Sequence, residues 1–133
     1  MLPYFRFHHI GVAVFDIDST AKYYLDAGYS KTDTVYDPVQ NVYICFVIKD
    51  EMPMVELLAP KDETSPVTRT LEKNGVAPYH FCYEVDDITQ AIADLRKLRF
   101  VPIIKTVDAC AIDNRKVCFL FNKSVGLIEL VEA

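Results

Sequence analysis

The chain is poor in positive charge: 14 Lys and Arg stand against 19 Asp and Glu over 133 residues, a formal net charge of −5. That balance has the wrong sign for neutralising phosphates, so no nucleic-acid partner is expected. Long apolar runs are also missing. The longest, Val42 to Ile48, has seven residues, far below the roughly 18 that mark a membrane-spanning helix, and no membrane partner is expected. The four cysteines, Cys45, Cys82, Cys110 and Cys118, form no CxxC pair. Three of them lie in apolar runs, where a thiol behaves as a small buried hydrophobe, and a reducing, cytoplasmic setting is expected. Arg6, His8 and His9 stand where a secretory signal would need an unbroken apolar core. Low-complexity segments, charge blocks and heptad seams are absent as well. What remains, 51% hydrophobic and 25% charged, is the composition of one globular domain over residues 1–133.

That domain is built twice. Residues 9–29 laid over residues 80–100 pair His9 with His80, Ile10 with Phe81, Val14 with Val85, Asp16 with Asp87, Ile17 with Ile88 and Tyr29 with Phe100. The offset of 71 grows to 73 further along, where Ile44-Cys45-Phe46-Val47 lies over Val117-Cys118-Phe119-Leu120 and Val55-Glu56-Leu57 over Ile128-Glu129-Leu130. A period near 70 is too long for a solenoid repeat and too short for an independent domain, which predicts two copies sharing a sheet or core.

Each copy opens with period-two alternation, as in His9-Ile10-Gly11-Val12-Ala13-Val14, and continues through an Asp into apolar residues at helical spacing. These are Ile17, Ala21, Tyr24 and Leu25 in the first copy and Ile88, Ile92, Leu95 and Leu98 in the second. Gly28 ends the first helix as a left-handed cap would, whereas its counterpart Arg99 tolerates that backbone less well, so the second helix end is expected to differ. Three β-rich runs follow in each copy, about 31–36, 41–49 and 53–59, then 101–107, 115–121 and 125–132. The expected fold class is α+β: two βαβββ modules at about 6–60 and 78–132. A connecting helix at about 65–75 starts at Ser65-Pro66 and stops at Asn74-Gly75.

The duplication also selects the candidate chemistry. His9 and His80 are equivalent, as are Glu56 and Glu129, and both glutamates sit among strong strand formers, where burying an uncompensated charge costs several kcal/mol. Two neutral imidazoles and two carboxylates suit one divalent first-row ion with positions left for water or substrate. Singly, each histidine reads as structural and each glutamate as solvent-facing; repetition at equivalent positions favours a site. His8 points to the opposite strand face from His9 and is read as structural. Cys45 and Cys118 are read as packing, and Cys110 as a loop thiol without a role. Asn114-Arg115-Lys116 is a basic spot before a strand, either a solvated strand end or a contact for a ligand carboxylate or phosphate, with Arg115 and Asn114 as the candidate substrate contacts.

The segments His8-His9-Ile10-Gly11-Val12-Ala13-Val14, Val55-Glu56-Leu57-Leu58-Ala59-Pro60, Tyr79-His80-Phe81-Cys82-Tyr83-Glu84-Val85-Asp86-Asp87-Ile88 and Gly126-Leu127-Ile128-Glu129-Leu130 resemble the vicinal oxygen chelate superfamily. The likeness is to short metal-dependent members related to glyoxalase I and methylmalonyl-CoA epimerase. It implies a curled mixed β-sheet with helices outside, and His9, Glu56, His80 and Glu129 as ligands of one divalent metal ion (Ni, Co, Zn or Mn) held between the modules. It further implies Lewis-acid stabilisation of an enediolate or enolate, with Glu129 as principal base and Glu56 as its pseudo-symmetric partner. A complete two-His, two-Glu set matches glyoxalase I, whereas some epimerases carry Gln at the position of Glu56, a second His at Tyr79 and an acidic residue at Ile44. The favoured expectation is therefore a lactoylglutathione lyase-like isomerisation of a 2-oxoaldehyde-thiol hemithioacetal. Methylmalonyl-CoA epimerase-like proton transfer on a thioester is the alternative, and a non-enzymatic small-molecule binding protein of the same fold a further one. A homodimer is the expected assembly.

Overall fold

The computed structural model describes residues 1–133. β1 (Arg6–Ala13) leads into α1 (Ile17–Asp26), β2 (Ser30–Lys31), β3 (Val35–Asp37), β4 (Val42–Ile48), β5 (Val55–Pro60) and α2 (Pro66–Asn74). The same order then repeats: β6 (Ala77–Val85), α3 (Ile88–Lys97), β7 (Val101–Pro102), β8 (Val107–Ala109), a single 3-10 turn at Cys110–Ile112, β9 (Arg115–Asn122) and β10 (Gly126–Glu132). The chain divides into two compact units, one of His9–Tyr79 and one of Met1–His8 with His80–Ala133. The eight amino-terminal residues thus belong with the second copy.

In the unit His9–Tyr79 the strands run in the order β2-β4-β5-β1, with β3 also on β4. β1 and β5 are parallel and β4 is antiparallel to β5. Alternation sends Val12, Val14, Cys45, Val47, Leu57 and Ala59 to the face covered by Ile17 and Ala21 of α1. The second unit repeats this with β6-β10-β9-β7 and β8 on β9, β6 and β10 being parallel. There Val85, Cys118, Leu120, Ile128 and Leu130 pack under Ile88, Ala91 and Leu95 of α3. Cys45 and Cys118 are core residues, and burial pushes both thiols upward in pKa.

Local chemistry explains where the elements start and stop. The Asp16 carboxylate accepts from the Ser19 N–H at 2.9 Å, and Asp87 accepts from the Gln90 N–H at 3.0 Å, so each aspartate of the duplicated pair is a helix cap. At α2, Pro66 takes the first position, while the buried Ser65 makes no side-chain capping bond. The expected runs 31–36 and 101–107 are each broken in two. In the first, Thr32 leaves the ladder with its hydroxyl accepting the Phe46 N–H at 2.8 Å, while its own N–H donates to the Phe46 carbonyl at 2.9 Å. At the equivalent point the Ile103 N–H donates to the Phe119 carbonyl at 2.9 Å.

Two expectations about the helices are corrected. Leu25 and Leu98 lie on exposed faces, 47% and 46% accessible, because each core is already filled by the preceding apolar positions. The two helix ends do not differ: Arg99 takes φ 67° where Gly28 takes φ 93°. The N–H of the next residue closes each end, Tyr29 to the Tyr24 carbonyl at 3.0 Å and Phe100 to the Leu95 carbonyl at 3.1 Å. Burial of Phe100 imposes the left-handed conformation on Arg99.

The amino-terminal segment is anchored within its unit by polar contacts. The Tyr4 hydroxyl donates to Asp94 at 2.6 Å, and partial desolvation, followed by this contact, pushes the Tyr4 pKa up to about 12. Glu84 is shared between Arg115 and Arg6, and these guanidiniums, Arg115 first, hold its carboxyl below the usual glutamate range. Arg115 also donates from Nε to the Glu132 carbonyl at 2.6 Å, tying β6, β9 and β10 together.

Two outcomes follow. Arg99→Gly relieves a left-handed non-glycine residue, a cost of about 1–2 kcal/mol, against about 0.5–1 kcal/mol for the looser unfolded chain, so a net gain of about 0.5–1 kcal/mol is expected in urea unfolding. Glu84→Gln is expected to destabilise by about 1–2 kcal/mol at neutral pH. Because folding depresses the Glu84 pKa, that contribution is complete above the ordinary glutamate value and fades as pH falls through the lowered one. The urea midpoints of wild type and variant should therefore converge between about pH 7 and about pH 3.

Candidate metal centre

His9 and Glu56 come together because β1 and β5 are parallel neighbours with Gly11 in register with Glu56. His9, two residues before Gly11, projects from the same face as Glu56, opposite the helix-covered core. Its Nε2 lies 3.3 Å from Glu56 Oε1. The second unit reproduces the arrangement: Cys82 of β6 is in register with Glu129 of β10, and His80 Nε2 lies 3.3 Å from Glu129 Oε1. All four residues are withdrawn from solvent, His9 at 0%, Glu56 at 3%, His80 at 3% and Glu129 at 2% accessibility. The solvent-facing reading of the glutamates is thereby excluded.

An aromatic ring completes each pair. Phe46 stands directly opposite Glu56 across the β4–β5 ladder and packs edge-on against the His9 ring, with centroids 5.3 Å apart and planes at 79°. Phe119 stands opposite Glu129 across β9–β10 and meets the His80 ring at 5.2 Å and 90°. Reasoning from the residues alone passed over both rings. The signal was present, since Phe46 and Phe119 fall on one another at the same offset of 73 as the glutamates. Cys82, in an apolar run of the sequence, sits in register with the candidate ligand Glu129 where the first copy has Gly11 beside Glu56.

The donor chemistry fits a divalent ion. Two donors each about 2.0–2.2 Å from a common first-row metal lie about 3.0–3.5 Å apart at right-angle to tetrahedral geometry, and both His–Glu pairs are spaced at 3.3 Å. Imidazole nitrogen and carboxylate oxygen suit Zn, Co, Ni and Mn alike. Each pair is thus a candidate metal-ligating pair in an otherwise apolar wall of Phe46, Ile44 and Leu58 in one unit and Phe119, Val117 and Val131 in the other.

The basic spot is placed differently from a free ligand contact. Arg115 is held by Glu84 and by the Glu132 carbonyl, which occupies its guanidinium inside the unit. Asn114 is exposed, at φ 58° in the turn before β9. Cys110 is an exposed thiol in the 3-10 turn. No helix is long and apolar enough to cross a membrane.

Comparison with known proteins places this geometry. The model of the Glyoxalase/Bleomycin resistance protein/Dioxygenase superfamily matches residues 8–119. Over 132 residues the chain is 34% identical to the mitochondrial methylmalonyl-CoA epimerase of Mus musculus, covering 96% of this chain and 73% of the mouse protein. The crystal structure of methylmalonyl-CoA epimerase from Mycobacterium tuberculosis matches with a TM-score of 0.85 at 25% identity, over 96% of this chain and 87% of that one. A Streptomyces coelicolor methylmalonyl-CoA epimerase variant in complex with 2-nitronate-propionyl-CoA matches with a TM-score of 0.84 at 26% identity, over 96% of both chains. These relatives reverse the order of the two expected activities: they support epimerase-like chemistry, and with glyoxalase I they support only a shared fold. The chain belongs to the glyoxalase/bleomycin resistance protein/dioxygenase superfamily and, within it, to the methylmalonyl-CoA epimerase family.

Proposed function

We propose that this protein epimerises methylmalonyl-CoA by proton transfer at the carbon between thioester and carboxylate, using one divalent ion shared by His9, Glu56, His80 and Glu129. The observation that carries the proposal is the repetition of one buried His–Glu pair, at 3.3 Å in each copy, in a chain 34% identical to such an epimerase. The bound ion would supply Lewis acidity, lowering the cost of negative charge on the substrate carbonyl oxygens by several kcal/mol.

The remaining work falls to the chain itself. Glu129 accepts the proton in one direction and Glu56 returns one, and the roles exchange for the opposite epimer, as microscopic reversibility requires of a reaction whose two ends are mirror-related at one carbon. His9 and His80 present Nε2 toward the carboxylates, which leaves Nδ1 on the far side of each ring. The apolar side chains beside each pair keep bulk water from the abstracted proton and from the carbanionic carbon. Arg115 and Asn114 have no substrate role in this reading, since Arg115 is committed to Glu84 and Glu132.

The test is a metal-reconstituted preparation in deuterated water, offered methylmalonyl-CoA and the methylglyoxal–glutathione hemithioacetal in parallel. Deuterium should enter C2 of methylmalonyl-CoA, chelation should abolish it, and Glu129→Gln should slow it by about 10²–10⁴-fold. Turnover of the hemithioacetal alone sinks the proposal, and metal binding with turnover of neither points to a binding protein. Titration with Zn or Co should give one ion per chain, lost in His9→Ala and in His80→Ala.

A further inference from the structure

The two phenylalanines beside the His–Glu pairs do more than fill space. Each lies directly across a strand ladder from the glutamate and edge-on to the imidazole, so a single ring bounds both members of a pair. A glutamate on a strand has three rotatable side-chain bonds, and an imidazole on the neighbouring strand has two. Left to themselves these groups sample many mutual orientations, and a metal would have to order them on binding. Phe46 and Phe119 are both 6% accessible, are held in place by the sheet, and lie against the glutamate strand position and the imidazole ring. The arrangement is the same in both copies to within 0.1 Å in centroid distance, 5.3 against 5.2 Å. Packing that only filled the core would not need to repeat an edge-on ring contact on the face away from it: Val47 and Leu120, the next residues along each strand, serve the core on the opposite face.

We propose that Phe46 and Phe119 are positioning residues that pre-set the His9–Glu56 and His80–Glu129 pairs for a divalent cation, and that much of the site's metal affinity resides in this preorganisation. The inference rests on the ligand set proposed above. It predicts that replacing the flat ring by a branched aliphatic side chain weakens metal binding even where the fold survives. Outer-shell partners of metal ligands typically matter by about 10–100-fold in affinity, and that is the expected loss for each of Phe46→Leu and Phe119→Leu.

The experiment is calorimetric titration of the full chain with Zn, together with the visible absorption spectrum of the Co-loaded protein, which reports ligand geometry independently of activity. The variants are Phe46→Leu, Phe119→Leu, His9→Ala, His80→Ala and, as a packing control from the opposite face of β4, Val47→Ala. Support consists of tight binding by wild type, a drop of about 10–100-fold with an altered Co spectrum in both leucine variants, and unchanged affinity in Val47→Ala. If wild type binds and the leucine variants bind equally well, or if Val47→Ala loses as much as they do, the positioning role is overturned while the ligand set stands. If wild type does not bind, or both His→Ala variants bind as wild type does, the ligand set falls and the positioning role falls with it.

Discussion

A carboxylate buried in the apolar wall of a sheet is the constraint on which the rest of this structure depends. Removing one ionised glutamate from water costs several kcal/mol unless a partner compensates it, and this chain removes two. The neighbouring imidazole is a weak remedy by itself, because in its neutral form it offers a dipole and not a charge. On the proposed reading a divalent cation would remove the conflict, since such an ion attracts carboxylate and accepts neutral imidazole nitrogen as a donor. On this view the apolar surroundings are an advantage: they cost little when the ion is bound and heighten its field on whatever else enters.

The fold's contribution is to make that constraint affordable at one face and invisible at the other. In each unit the strand bearing the histidine and the strand bearing the glutamate are parallel neighbours, which requires a long connection between them. The helix in that connection is capped by an aspartate and packs against one face only. Period-two alternation then separates two jobs within a few residues. Leu57 and Ile128 face the helix, and Glu56 and Glu129, one position away, face the other side. A slip of one residue in either ladder would exchange them, so the same register that builds the core also places the two buried carboxylates.

Much of this was legible before any coordinates, because duplication converts weak signals into strong ones. Neither His9 nor Glu56 alone stands out from an ordinary strand residue, but equivalence with His80 and Glu129 marks the pair that the structure buries twice, and the aspartate caps are visible in the same way. What escaped notice is instructive in physical terms. Arg99 adopts the backbone of its glycine counterpart because buried Phe100 pins the next residue, a tertiary demand that local propensity does not contain. Leu25 is exposed although it fits the helical period, since the period describes a stripe and not where the stripe ends. Arg115 looked available because its partners, Glu84 and the Glu132 carbonyl, are 31 and 17 residues away in sequence.

The substrate was the least legible property, and the reason lies in the chemistry. Isomerising a hemithioacetal and epimerising a thioester both begin by taking a proton from carbon beside a carbonyl, so one ligand set serves both and its identity cannot choose between them. Glu56 in place of Gln is therefore compatible with either reaction. Discrimination must come from the walls. Ile44 bears on this: it is buried two residues along β4 from Phe46, on the same face and in register with Leu58, where some epimerases carry an acidic residue. An aliphatic side chain there supplies no additional base. On the proposed reading both proton transfers then fall to the carboxylates that also hold the ion, one from each copy. A duplicated fold is suited to a reaction whose forward and reverse steps are chemically alike.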